Sequence, residues 1–360
     1  MAIEGGTSKF TLCASVKVCI LVESVGFGFP TIAKHKNVST NYRMTRLKQN
    51  YGLLIIGIAI GIAYGLATRL VFGQEATLAS VTYLFIIPTI LGIIPLMFVD
   101  NDKLKSYRNI IFIPWLTVAT FFFTMFLFGI EDFICLLVLA APFFILGTVG
   151  ALIYRFVQIN RQKSKGKLLT LVLLPFLFAS IEEYIQSPSD TFNVKSEVII
   201  DAKPQLVWDN IVEVETIHQD EYNSGFFNSI GIPRPISATV DRKELGGQRI
   251  GNFEGGLKFI ETITEYEENK KVSFDIKIDP TTVRQKVFDQ HVLNGNYFTF
   301  VDATYELTVL KNGHVKLALY SSYQLTSTIN FYGKFWGDII LTDFQDRLLN
   351  VIENRCETKE

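Results

Sequence analysis

Asn193-Val-Lys-Ser-Glu-Val-Ile-Ile-Asp-Ala-Lys-Pro-Gln-Leu-Val-Trp-Asp-Asn-Ile211 is where the hydrophobic pattern of this chain changes. Val194, Ser196, Val198 and Ile200 alternate with polar or charged neighbours, which is the period of a half-buried strand. The run stops at Asp201-Ala-Lys-Pro204. Pro204 suits the first turn of a helix, where its missing N–H costs nothing, and that helix carries Leu206, Val207, Trp208, Ile211 and Val212.

Downstream, the period of two returns repeatedly. After a loop-rich stretch, Gln219 to Pro235, strands are predicted at Ser237–Arg242 and Gln248–Glu254 around the Glu244-Leu-Gly-Gly247 turn. Two more, Leu257–Tyr266 and Lys271–Ile278, flank the polar loop Glu267–Lys270. The last pair, Asn296–Leu310 and His314–Thr326, meets at Lys311-Asn-Gly313, where an Asn-Gly pair supplies the positive φ angles of a tight hairpin. A closing helix, about 331–353, places Phe335, Trp336, Ile339, Ile340, Phe344, Leu348 and Ile352 at helical spacing. Strand, helix, loop, antiparallel meander and one long helix predict an α+β domain in which a curved sheet grips a helix.

Upstream, the composition belongs to another solvent. Leu78–Val99, Asn109–Ile130 and Phe133–Tyr154 are each 22 residues long without one Asp, Glu, Lys or Arg, and roughly 20 apolar residues cross the hydrocarbon of a bilayer. Gly52–Thr68, ending at Arg69, is predicted as a further span over about 52–70, because the arginine can snorkel to the interface. Leu168–Ile181 has 14 uncharged residues and contains Pro175, and reads as a short span, a re-entrant piece or an interfacial helix. Residues 44–185 are thus predicted as a multi-pass α-helical membrane region. Before it, Phe10–Pro30 is apolar but interrupted by Lys17 and Glu23, so residues 1–43 read as a poorly structured leader, with Met44 as an alternative start.

Basic residues collect in alternate loops. Arg43, Arg46 and Lys48 precede the first span, Lys103, Lys105 and Arg108 follow the second, and Arg155 to Lys167 follow the fourth. The excess of Lys and Arg on the cytoplasmic side puts the N-terminus inside, in a bacterial inner membrane. The C-terminal domain is then outside if Leu168–Ile181 crosses, and cytoplasmic if it lies on the interface; the acidic, turn-like residues after it favour the outside.

A net charge of −1 gives no reason to expect nucleic acid. Cys13, Cys19, Cys135 and Cys356 form no CxxC pair and have no matching His spacing, so neither a zinc site, a disulfide framework nor any cofactor is expected. Cys135 reads as a small apolar residue in a span, and Glu131-Asp132 and Glu182-Glu183 as carboxylates solvated at the membrane boundary. The glycines between Gly246 and Gly256 lie in a hairpin with no following helix, so they make no phosphate loop.

The order of elements, the opening Ser196–Ile211, the Gly246-Gly-Gln-Arg249 turn, Glu261-Thr-Ile-Thr-Glu265-Tyr-Glu and the closing helix resemble the START/Bet v 1-like superfamily (SRPBCC, polyketide cyclase/dehydrase-like domains) over about residues 193–356. The resemblance implies an apolar cavity between sheet and helix, used in that superfamily for lipids, sterols, polyketides and other hydrophobic small molecules. Parity then nominates its lining: Arg249 and Phe253 with Gly251; Phe259 and Glu261 with Ile263; Phe274 with Val272 and Ile276; Tyr297 and Tyr305 with Val301 and Leu307; Tyr323 with Ser321; and Phe335, Trp336 and Ile339 from the helix. Trp208 is added from the first helix. The same parity also satisfies a solid core.

Glu261 stands out as a carboxylate on an inward face, and Arg249 on the neighbouring strand is its natural partner. The function expected is a membrane-anchored protein that binds a hydrophobic small molecule or lipid. The alternatives are a cyclase- or hydrolase-like enzyme using Glu261 or His218 as its acid/base group, and a structural or sensory membrane protein with no small-molecule ligand.

Overall fold

The computed structural model describes residues 35–72, 80–160, 170, 172–182 and 184–357. The helical region comprises α1 (His35–Val71), α2 (Thr82–Phe98), the short α3 (Asn101–Leu104), α4 (Tyr107–Leu127), α5 (Phe133–Asn160) and the short α6 (Leu174–Glu182). Of the leader predicted over 1–43, residues 1–34 lie outside the described residues, and His35 opens α1. Among the described residues, three helices are long and apolar enough to cross a membrane: Tyr51–Val71, Tyr107–Leu127 and Phe133–Ile159.

The segment expected as a 22-residue span over 78–99 is shorter and broken. It runs as a π-helix over Thr82–Ile86, an α-helix over Ile87–Ile93 and a 3₁₀-helix over Ile94–Phe98. Its prolines account for this. Pro88 and Pro95 have no N–H to donate, so the ladder is interrupted one turn before each, and the Thr89 hydroxyl takes up the carbonyl of Phe85 at 2.7 Å. The segment is also the most buried of the bundle, with Ile87, Leu91 and Leu96 packed among α4 and α5. Glycines bring α2 and α5 into backbone contact: a Cβ on Gly92 would lie 2.0 Å from the Gly147 carbonyl oxygen, and one on Gly150 equally close to that of Thr89. Trp115 Nε1 on α4 donates to Thr148 Oγ1 on α5 at 2.9 Å.

From Ser189 the chain forms a seven-stranded antiparallel sheet: β1 (Ser189–Ile200), β2 (Pro235–Val240), β3 (Gln248–Phe253), β4 (Lys258–Glu267), β5 (Lys271–Ile278), β6 (Phe298–Val309) and β7 (Val315–Thr326), in the order β1-β7-β6-β5-β4-β3-β2. Helices α7 (Pro204–Val212), α8 (Phe226–Ser229) and α9 (Val287–Val292) lie between strands, and α10 (Asn330–Glu357) closes the chain. β1 pairs with β7 from Ser189↔Thr326 to Ile200↔Val315, so the last strand brings the first back beside it and α10 packs along that pair. Ile200, Trp208, Ile211, Phe274, Leu317, Leu349 and Ile352 build the main core between sheet, α7 and the C-terminal half of α10. At the β6–β7 turn only Gly313 adopts the positive φ expected of the Asn-Gly pair (90°), and it alone supplies the left-handed residue there.

The two regions dock at one end of the helical bundle. Glu182 Oε1 accepts the Val81 N–H at 2.7 Å and the Thr328 hydroxyl at 2.6 Å, and its Oε2 accepts the Thr82 N–H at 3.1 Å. Asp132 Oδ2 accepts the Phe288 N–H at 2.9 Å, and the Tyr332 hydroxyl donates to the Val138 carbonyl. At the opposite end, Arg155 Nε donates to the Leu104 carbonyl at 3.0 Å, in the loop that carries Lys103, Lys105 and Arg108.

A candidate ligand cavity between sheet, closing helix and bundle

Strand parity turns Arg249, Gly251 and Phe253 of β3, and Phe259, Glu261 and Ile263 of β4, to the inner face, all buried. Arg249 and Glu261 are directly opposed in register. The Arg249 guanidinium donates from Nη1 to Glu261 Oε2, lies 4.9 Å from the Phe274 ring centroid and interacts with the Tyr305 hydroxyl. Burial pushes the Tyr305 phenol up from its ordinary value. Gly251 gives the carboxylate its room, since a Cβ there would come within 3.0 Å of Glu261 Oε1. Arg249 Nε is buried with no protein partner. A buried donor without an acceptor is costly.

Arg249, Gly251, Phe253, Phe259, Glu261 and Tyr305 border a cavity of about 360 Å³. Its walls are overwhelmingly apolar and come from β2 to β7, from Trp336, Ile340 and Phe344 of α10, and from Tyr83, Leu84, Val138 and Leu139 of the helical region. Of the residues nominated from sequence, Arg249, Phe253, Phe259, Glu261, Tyr297, Tyr305 and Trp336 line it. The Phe253 and Phe259 rings pack at a tilt of 43° with centroids 4.6 Å apart.

Gly251, Ile276 and Ser321, which share faces with the nominated residues, line it too, whereas Trp208, Phe274, Tyr323, Phe335 and Ile339 do not. Trp208 is buried in the main core against Tyr266 and is not part of the cavity lining. Phe274 is fully buried behind Arg249 rather than facing the space. Tyr323 fills a separate cluster with Val194 and Leu341, its hydroxyl donating to Asp338 Oδ1 at 2.7 Å. Phe335 is 56% exposed and Ile339 38% exposed. The cavity side of α10 is the one that carries Trp336, Gly337, Ile340 and Leu341, and Phe335 and Ile339 lie outside it. His218 is exposed in a loop, its N–H donating to Glu221, which is itself clamped by Arg355.

Register shifts interrupt the alternation in β2, β4 and β6, and the one in β6 changes the cavity wall. The β6–β7 register shifts between Phe300 and Asp302, so Val301 bulges outward and is exposed, while Phe298 and Phe300 line the cavity in its place. Parity counted from Tyr305 therefore misses both phenylalanines. No local sequence signal marks the bulge.

A second polar group borders the cavity where the bundle meets the sheet. Glu131 is 3% exposed, not solvated as its place at a span boundary suggested. Its Oε1 accepts Arg69 Nε at 2.6 Å, and its Oε2 faces His291 Nδ1 at 3.9 Å. Cys135, one helical turn along, joins them. The donor atoms of Glu131, Cys135 and His291 all lie within 4.8 Å of one another, which sequence spacing did not suggest because the residues come from two regions. Tyr83 also borders the cavity here, its hydroxyl buried without a protein partner.

No family model matches the chain, and no curated protein matches it. Among solved structures it is similar over 47% of its length to a protein from Nitrosospira multiformis (14% identity, 100% of that chain, TM-score 0.30). It is similar over 48% to one from Rhizobium leguminosarum (10% identity, 99% of that chain, TM-score 0.31), and over 47% to DynU16, from the dynemicin biosynthetic locus (12% identity, 48% of that chain, TM-score 0.28).

Proposed function

We propose that the chain is a membrane-anchored protein of START/SRPBCC-like architecture that holds a hydrophobic small molecule or lipid in the cavity between sheet, α10 and bundle. The observation that carries this reading is the cavity itself: about 360 Å³ of apolar space, within the size range of small-molecule sites, bordered by a buried arginine whose Nε has no protein acceptor. An apolar ligand with one carbonyl, hydroxyl or carboxylate oxygen satisfies both features. The apolar body replaces the empty volume and the oxygen accepts from Arg249.

Membrane anchorage is supported by the outer surfaces of the three long helices. Ile55, Phe123, Leu127, Ile145 and Phe156 are exposed there as a continuous apolar exterior, which water would penalise and hydrocarbon would not. The basic residues Lys103, Lys105, Arg108 and Arg155 lie at the bundle end away from the sheet domain, which under the positive-inside rule supports a sheet domain on the outer face. The return path is consistent: α6 ends at Glu182 on the domain side, and the Tyr64 hydroxyl donates to the Val172 carbonyl part-way along α1. A cavity wall made partly by the bundle gives a lipid a short route from the leaflet, where its effective concentration is high.

Native mass spectrometry of the purified full chain tests the reading. The wild type carries an apolar adduct of defined mass, and Ala303→Phe, which fills the cavity from β6, loses it while remaining folded. A bare polypeptide mass from wild type, with no uptake of added lipid, contradicts it.

A further inference from the structure

We infer that Glu131, Cys135 and His291 form a binding site for a divalent cation of the zinc class. The inference does not depend on a lipid occupying the cavity. Three observations carry it. The donor set, one carboxylate, one thiol and one imidazole, is the mixed oxygen, sulfur and nitrogen set that Zn²⁺ accepts. The three donor atoms lie within 4.8 Å of one another, so side-chain adjustments of under about 1 Å bring them to the corners of a tetrahedron around an ion at roughly 2.0–2.3 Å. The nearby Tyr83 hydroxyl is buried and lacks a protein partner, an unsatisfied group that a metal-bound water would satisfy.

The setting is built rather than accidental. Cys135 sits in the first turn of α5 and Glu131 two residues before that helix begins, so the chain entering α5 brings both side chains to one place. Arg69 holds Glu131 through Oε1 at 2.6 Å and leaves Oε2 turned to the cluster. This is the outer-sphere support that fixes a ligating carboxylate. His291 is delivered by α9, which is fixed twice: its Asp289 is clamped by Arg284, with Nη2 to Oδ1 at 2.9 Å, and its Phe288 N–H is held by Asp132. All three donors border the cavity, so three protein ligands leave a fourth position open toward it, the arrangement of zinc sites that bind an exchangeable water or ligand oxygen. On binding, the Cys135 thiol releases its proton to solvent and coordinates as thiolate, Glu131 coordinates as carboxylate and His291 as neutral imidazole. The site also ties the sheet domain to the bundle.

The test uses the full chain, stripped with chelator and reloaded with Zn²⁺ or Co²⁺. One Zn²⁺ per chain is expected after desalting, and the Co²⁺ form shows thiolate-to-cobalt absorption in the near ultraviolet. Cys135→Ser abolishes that band, His291→Ala weakens Zn²⁺ binding by roughly tenfold or more, and Cys356→Ala preserves both. A variant-free readout guards against misfolding: Zn²⁺ slows alkylation of Cys135 by iodoacetamide in the wild-type chain, mapped by peptide mass. Equal alkylation rates with and without Zn²⁺, or a cobalt band that survives in Cys135→Ser, overturn the assignment.

Discussion

Glu261 and Glu131 are both buried carboxylates at the edge of one cavity, each paired with an arginine, and they are assembled in opposite ways. Glu261 meets Arg249 across neighbouring strands, 12 residues away in sequence. Glu131 meets Arg69 from 62 residues away and His291 from across the junction of two regions. A hairpin register creates the first pair, so it forms as soon as the strands pair; tertiary docking creates the second. The first is a matter of local pairing and the second reports on whether the two regions are joined.

The largest expected effect separates them by energy. Arg249→Met strands the Glu261 carboxylate inside an apolar domain and costs about 3–5 kcal/mol in denaturant unfolding of the full chain, while Arg249→Met/Glu261→Leu recovers most of it. Arg69→Met is milder, about 1.5–3 kcal/mol, because Glu131 keeps the Cys135 thiol and His291 as neighbours. Equal costs for the two single variants break the comparison.

This difference also explains what was legible in the sequence. Period-two runs and turn residues laid out seven strands and the closing helix, and parity put Arg249 beside Glu261, because these are local or nearest-neighbour properties. Three things were not local. The bulge at Val301 moves Phe298 and Phe300 into the cavity, yet it depends on how β6 fits β7. The apolar stripe of α10 is wider than one face, so only docking decides that Trp336 turns inward and Phe335 outward. The Glu131, Cys135 and His291 cluster joins α5 to α9, and no spacing rule spans that distance. In α2 the prolines were visible, but apolar length outweighed them.

Smaller effects sharpen the distinction between domain and junction. Tyr332→Phe removes the hydroxyl that bonds the Val138 carbonyl and costs about 1 kcal/mol. Hydrogen–deuterium exchange should localise the loss to the start of α10 and the adjoining bundle, leaving β3 and β4 protected. The smallest effect is titratable and lies wholly within the sheet domain. Arg355 makes a two-pronged contact with Glu221, at 2.8 and 2.9 Å, and holds that carboxyl down to about 2. A folded-state value below the unfolded one means the stabilisation is complete above about pH 4.5 and fades as pH falls toward 2. The pair is partly exposed, so its contribution stays under about 1 kcal/mol, and Arg355→Gln should flatten that part of the acid unfolding profile.

The central claim is that the space between sheet, closing helix and bundle is a binding site rather than a packing defect. Titration of the delipidated full chain with a fluorescent polyene fatty acid measures this most directly. One saturable site per wild-type chain, lost in Ala303→Phe and weakened in Arg249→Met/Glu261→Leu, is the predicted result. Non-saturable uptake that is identical in all three proteins would contradict it.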